Sequence, residues 1–276
     1  AVLRVLRGRF DALAVANNHS GDYGQAAFLE TLEHLAGQGI AAIGGGRQLA
    51  EAHRPLWIER RGLRIAVLAY NEFKPRSFEA GADWPGIAWS EDSEVISDIR
   101  AARVAGADVV IPFMHWGWER ERRASERQRQ LAHLMIDAGA DLVVGGHPHV
   151  TQDVEYYQGK LIVYSLGNFV FDQDFLSTFA SCYLHTVWEA GELVEARLQP
   201  GHFGGAVIRS EALDQRIGEL LGAEVAQGHD MHAPGTGGLD RRRRIGRALR
   251  QIEAHRIDLE QQPRAQAGAV EHGRLA

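Results

Sequence analysis

DAGADLVVGGHPH, residues 137–149, runs from the end of a predicted helix (Ser125–Ala138) through a short apolar strand (Asp141–Val144) into a loop of glycine and histidine. The succession of apolar strand, polar or histidine-bearing loop and helix recurs on both sides of it. Upstream, Phe10–Ala16 is a nearly continuous apolar run, as expected of a strand buried on both faces, and it stops at the polar Asn17–Asp22. Phe28, Leu32 and Leu35 then fall at helical spacing between Gly24 and Gly37, before a short strand at Ile40–Ile43 that runs into three glycines. A helix over Glu94–Ala105 feeds the strand Asp108–Met114, which ends at His115. The alternation is that of an α/β fold.

Hairpins punctuate the pattern. Leu56–Glu59 and Leu63–Tyr70 flank Arg61-Gly62, Val154–Tyr157 and Leu161–Ser165 flank Gln158-Gly159, and Leu184–Glu189 and Leu193–Leu198 flank Ala190-Gly191. Asn71–Ser93 reads as a long irregular connection, functional or poorly ordered. Beyond Pro200 glycines accumulate and no strand pattern persists. From Asp240 onward nine arginines against five acids give a net +4, read as a solvated, mostly polar helix and a frayed tail, or else as a contact for a polyanion.

The 276 residues are 45% hydrophobic and 24% charged, ordinary for a globular protein with a sizeable core. No window approaches eighteen uninterrupted apolar residues, the length a membrane-spanning helix needs, and no signal peptide is recognisable. The net charge of −6 gives no reason to expect nucleic acid. Cys182 is the only cysteine, which excludes an internal disulfide and a cysteine-based metal site. Thirteen histidines remain, several of them beside glycine, proline or asparagine.

Three apolar strands end in histidine-bearing loops: Asn17-Asn18-His19, His115–Glu119 and Gly146–His149. Parallel strands bring such loops to one sheet edge. In an extended segment His147 and His149 project to the same side, with Pro148 fixing the backbone between them and Gly145 and Gly146 permitting close approach. The alternative is one histidine capping a helix and the other exposed. His115 is a natural third nitrogen ligand, or else a core histidine bonded to backbone. Asn18 offers an amide oxygen to a metal, and His19 an imidazole for proton transfer near neutral pH. Asp22 reads as the N-cap of the next helix or else a ligand. Glu119 is a ligand, a group orienting His115, or a surface residue. Neutral imidazoles with amide or carboxylate oxygens favour manganese, iron or zinc. The tryptophans at 116 and 118 are expected to wall the pocket.

VANNHSGDYG (15–24), HWGWE (115–119), DAGADLVVGGHPHVTQDVEYYQGKLIVYSLGNFVF (137–171) and LVEARLQP (193–200) together resemble the bacterial capsule-synthesis CapA family. That family is associated with poly-γ-glutamate synthesis and export and is related to the calcineurin-like metallophosphoesterases. The resemblance spans roughly residues 10–200. It implies a layered αββα sandwich over residues 1–200, followed by a Gly/Arg-rich extension over 201–276, partly helical or disordered. It makes Asn18 and His19 similar to the Asn-His pair in which asparagine binds metal and histidine acts on the leaving group. His115 then resembles the lone histidine ligand, and His147 and His149 the Gly-His-x-His pair. Such proteins open with a Gly-Asp strand and a second acidic or asparagine motif. Here nine residues precede Phe10 and Asp11 is the sole acid among the first sixteen, so the expectation is a fold missing its first strand or strands. The implied activity is that of a metal-dependent hydrolase acting in capsule polymer synthesis or processing, on an anionic polymer or peptide, with membrane components of a capsule synthase as partners. The alternatives are a metal-dependent peptide epimerase and a non-catalytic assembly component. Family members often act at the cell surface.

Overall fold

The computed structural model describes residues 3, 6–74, 76–169, 171, 176–178, 180–200 and 206–209. Its centre is a six-stranded sheet in the order β4-β5-β7-β8-β10-β9. These strands are β4 (Leu56–Arg60), β5 (Leu63–Asn71), β7 (Val109–His115), β8 (Leu142–Gly146), β9 (Val154–Tyr157) and β10 (Lys160–Val163). The inner four, β5, β7, β8 and β10, run parallel, and β4 and β9 close the edges as antiparallel hairpin partners. The three hairpin turns expected from sequence carry the required positive φ, at Arg61 and Gly62, at Gln158 and Gly159, and at Ala190 and Gly191.

Two helices cover one face. α3 (Asp92–Val104) and α4 (Glu126–Ala138) bury Val95, Ile99, Leu131, Ala132 and Met135 against Leu68, Tyr70, Val110, Met114, Val143, Ile162 and Tyr164. α4 starts at a capping box, in which the Ser125 hydroxyl accepts from the Gln128 backbone and the Gln128 side chain accepts from the Ser125 backbone. The opposite sheet face divides between two smaller layers. β1 (Ala12–Ala14) and β2 (Ala41–Ile43), with helix α1 (Gly24–Gly37), pack Val15, Phe28, Leu35, Ile40 and Ile43 onto Val67, Ala69 and Phe113. β11 (Cys182–Glu189) and β12 (Glu192–Pro200) set Ala196 and Leu198 on Leu142, Val144, Leu161 and Val163. Helices, sheet, strands and helix are therefore stacked in the αββα order.

Four details differ from the sequence reading. β1 is half-buried rather than buried on both faces, because β2 is its one strand partner among the described residues. The described residues of the 71–93 connection are built into the fold. β6 (Gly86–Ile87) within it pairs with β3 (Gly45–Gly46), and Ala80, Ala88, Trp89 and Ser90 are buried. A one-turn helix, α2 (Leu49–Ala52), precedes β4. Past Pro200, β13 (Ala206–Arg209) adds a third strand to β11–β12, so strand structure does continue there. The remainder of the 201–276 extension, arginine run included, lies outside the described residues. Among the described residues no helix is long and apolar enough to cross a membrane.

Candidate functional site

The ends of β7 and β8 lie side by side, and their register pairs His115 with Gly146. The backbone of Trp116 donates to Gly146 O (3.2 Å), which holds the β7 and β8 loops together. Gly145 is required here. A Cβ on it would sit 2.2 Å from Tyr164 O and 2.3 Å from Trp116 Nε1. Gly146 has nothing within 4 Å of its would-be Cβ, so close approach explains only the first glycine of the pair.

His147 and His149 do not lie on an extended segment. Their φ angles are +96° and +61°, in the left-handed region that side chains with a Cβ seldom enter. Two strained residues around Pro148, instead of pleat alternation, bring the rings within 5.9 Å of each other. The His115 and His147 rings are 4.6 Å apart. Asn18, from the loop after β1, reaches across to the same cluster, where its Oδ1 accepts from His115 Nε2 at 2.8 Å. Residues 97 apart in sequence thus meet at one sheet edge.

His19 Nδ1 donates to Asp22 Oδ2 at 2.9 Å, and its side chain is 69% exposed. Asp22 does not cap the helix. The N-cap is Tyr23, without a side-chain bond, because the Asp22 carboxylate is turned to His19. His149 Nδ1 donates to Asn168 Oδ1 at 2.7 Å, while Asn168 Nδ2 donates to Thr178 O at 3.3 Å. That bond fixes the tautomer of His149 and leaves its Nε2 with the lone pair, the usual arrangement behind a ligating histidine. Glu119 stands on the exposed turn beyond Trp118, and no hydrogen bond joins it to His115 among the described residues.

The two tryptophans separate. Trp116 is wholly buried in the core, donating to Tyr164 O at 2.8 Å, while Trp118 is exposed and meets the edge of Phe73. Phe73 is the wall residue, its ring 4.0 Å from His147, and Phe171 lies 4.8 Å from His149. Phe73, Phe171 and Asn168 are not singled out by the sequence reading, although Asn168 and Phe171 fall within the string that carries the resemblance.

Burial, with help from the neighbouring imidazoles, pushes the pKa of His115 down from 6.5 to about 3, and that of His147 to about 4. Both rings are therefore neutral at physiological pH, the form that ligates metal. His147 Nε2 is buried and has no hydrogen-bond partner. A buried polar nitrogen left unsatisfied costs about 1–3 kcal/mol, a penalty a ligand there would relieve. The Nε2 hydrogen of His115 is bonded to Asn18 Oδ1, so these two atoms would face one ion together only with the His115 proton moved to Nδ1. The donor chemistry fits a neutral, nitrogen-rich site. As they stand, no three of the His, Cys, Asp and Glu side chains among the described residues converge on a single point.

The model of a family described as bacterial capsule synthesis protein PGA_cap matches residues 1–173. The chain belongs to this family. It is 39% identical over 170 residues to the PGA biosynthesis protein CapA of Bacillus subtilis strain 168, covering 61% of this chain and 44% of that relative. The capsule biosynthesis protein CapA of Bacillus anthracis is 35% identical over 184 residues, covering 64% and 44%. A probable polyglutamine synthesis accessory protein of Mycobacterium tuberculosis strain H37Rv is 33% identical over 205 residues, covering 68% and 54%. The chain thus spans about half the length of these curated PGA_cap relatives. Among solved structures, a 5'-nucleotidase precursor from Thermus thermophilus matches with a TM-score of 0.46 at 14% identity, over 94% of this chain and 47% of that one. A 5'-nucleotidase structure from Staphylococcus aureus matches with a TM-score of 0.46 at 13% identity, over 89% and 42%.

Proposed function

We propose that this PGA_cap chain carries the catalytic site of a metal-dependent hydrolase-like protein acting in poly-γ-glutamate or capsule polymer synthesis or processing. The observation that carries the reading is His147 Nε2, buried and without a partner among imidazoles held neutral. His147, His149, His115 and Asn18 would hold one divalent ion of the manganese, iron or zinc kind. Bound there, such an ion supplies Lewis acidity for an ester, phosphoester or amide oxygen.

The chain's own residues supply the rest. Asn168 orients His149 through Nδ1, so that Nε2 is the nitrogen presented. Asp22 takes the Nδ1 hydrogen of His19, so Nε2 of His19 is the nitrogen free to accept or give a proton. Its exposure leaves it open to a substrate and solvent, as a residue serving a leaving group requires. Phe73 lies against the His147 imidazole with apolar surface, and Trp118 meets the edge of Phe73. The names of the relatives, which speak of PGA biosynthesis, capsule biosynthesis and an accessory to polyglutamine synthesis, support a place beside capsule polymer synthesis.

The test is metal content and polymer cleavage measured together. The chain loaded with manganese, iron or zinc is expected to retain the metal through gel filtration and to shorten poly-γ-glutamate. His147→Ala and His149→Ala are expected to lose metal, and His19→Ala to keep it while losing cleavage. Unchanged metal content in both of the first two variants would overturn the site.

A further inference from the structure

We propose that Arg127, acting through Glu72, is a positioning residue that holds Phe73 against the imidazole of His147. With no hydrogen bond at Nε2, the orientation of the His147 ring depends on packing. Its neighbours are His115 at 4.6 Å and Phe73 at 4.0 Å, with the Phe73 plane tilted by 39°. Phe73 lies just past the end of β5, so its place is set by what holds residues 71 and 72.

Three ties do so. Asn71, 1% exposed, brackets Phe73 from one side: its Nδ2 donates to Phe73 O at 2.9 Å, and Phe73 N donates to its Oδ1 at 3.4 Å. The backbone of Glu72 donates to His115 O at 2.8 Å, which joins this loop to the β7 end. The Glu72 carboxylate is gripped by Arg127, whose Nε and Nη2 donate at 2.8 and 3.3 Å, and by the Ser90 hydroxyl. Arg127 sits on α4, across the sheet end from the imidazoles, and its other edge donates to Asp92 on α3 at 2.7 and 3.2 Å. One guanidinium thereby ties the Phe73 loop to both helices of the covering layer.

The bond cannot be idle. The Glu72 side chain is 17% exposed, and a carboxylate that sheltered needs a charged partner or must move toward water. Without Arg127, the Glu72 carboxylate retains only Ser90 among the described residues, and its movement toward water carries Phe73 off the His147 ring. The fork geometry matters as much as the charge, so lysine is a poor replacement.

Ring-proton NMR of the metal-free chain tests the packing, because an aromatic ring 4.0 Å away displaces the His147 resonances. Comparison with His147→Ala assigns them. Phe73→Leu is expected to move them toward ordinary imidazole values, and Arg127→Met to move them in the same direction. The double variant is expected to match Phe73→Leu alone, the non-additivity of residues acting in series. Arg127→Lys serves as the second variant should Arg127→Met not fold. A consequence, which rests on the metal-site reading above, is that zinc affinity measured by calorimetry falls about tenfold in Arg127→Met. His147 resonances that stay in place in a folded Arg127 variant, or shifts that add in the double variant, would overturn the proposal. Zinc affinity unchanged in His147→Ala would sink the metal site alone, with the NMR comparison still deciding the positioning.

Discussion

His147 and His149 each carry a side chain on left-handed backbone, and such residues cost about 1–3 kcal/mol apiece unless their surroundings enforce them. A residue before proline ordinarily takes extended backbone, so His147, at φ +96° before Pro148, is unusual twice over. What the strain achieves is to bring the two rings within 5.9 Å of each other, with that of His147 4.6 Å from His115. That these strand ends meet was legible; the geometry was not, because a Gly-His-Pro-His string read as a strand continuation gives the same pairing by a different backbone. Phe73 was illegible for another reason. Its role depends on a loop path fixed by Asn71 and Glu72, which no local periodicity encodes. Asn168 tests the ligand geometry at this scale. Asn168→Ala removes the acceptor from His149 Nδ1, frees the ring and its tautomer, and should weaken zinc or manganese binding about 10–100-fold while leaving the fold intact. Calorimetric titration checks it, and an unaltered affinity would show that His149 is not oriented for ligation.

Apart from the one-turn α2, helices and hairpins were read nearly to the residue, since their signals are local: apolar spacing, turn glycines and, for α4, Ser125 as its first residue. What the strands do with one another is less local. Asp141, which opens the predicted strand to β8, is 4% exposed. Its carboxylate accepts from Arg103, from the Val110 backbone at 2.8 Å and from Lys160 Nζ at 3.1 Å. One buried acid thus joins helix α3, strand β7 and strand β10, a tie between distant residues that spacing does not reveal. Asp141→Ala leaves Arg103 and Lys160 without that partner and should lower stability by about 3–5 kcal/mol, read from the urea midpoint. Ser125→Ala removes half of a capping box on the exposed end of α4 and should cost only about 1 kcal/mol in the same assay. Equal losses would mean that the Asp141 bridge is no more than a surface pair. The 71–93 connection taught the converse lesson. Its prolines and glycines look irregular, yet its backbone finds partners in β3 and β5, as buried polar backbone must.

At the scale of the molecule, the αββα stack leaves the strand ends as the edge where loops from β1, β7 and β8 meet, and there His147 is buried and His115 partly so. Layer order came from the resemblance and not from the hydrophobic pattern, which cannot say which face of a sheet a later hairpin covers. The burial makes the fold sensitive to acid. In the unfolded chain His115 and His147 return to about 6.5, while in the folded chain they stay neutral down to about 3 and about 4. Between those values the unfolded state binds more protons, so stability rises with pH across the window. It is complete above about 6.5 and drains away as pH falls, by up to about 1.4 kcal/mol per unit for each ring. Glu155 has the same sign: its burial raises the pKa, but the Tyr164 and His133 hydrogen bonds outweigh that and lower it, so it acts only below the ordinary carboxylate value of 4.5. The interval from pH 6.5 to 4.5 therefore isolates the histidines. Calorimetric Tm of the metal-free chain should fall steeply through it, and the His115→Asn/His147→Asn double variant should show a visibly flatter profile there with the slope restored below 4.5. Parallel profiles for the two proteins would mean that neither imidazole is held neutral by the fold, and the case for a ready metal ligand at His147 would go with it.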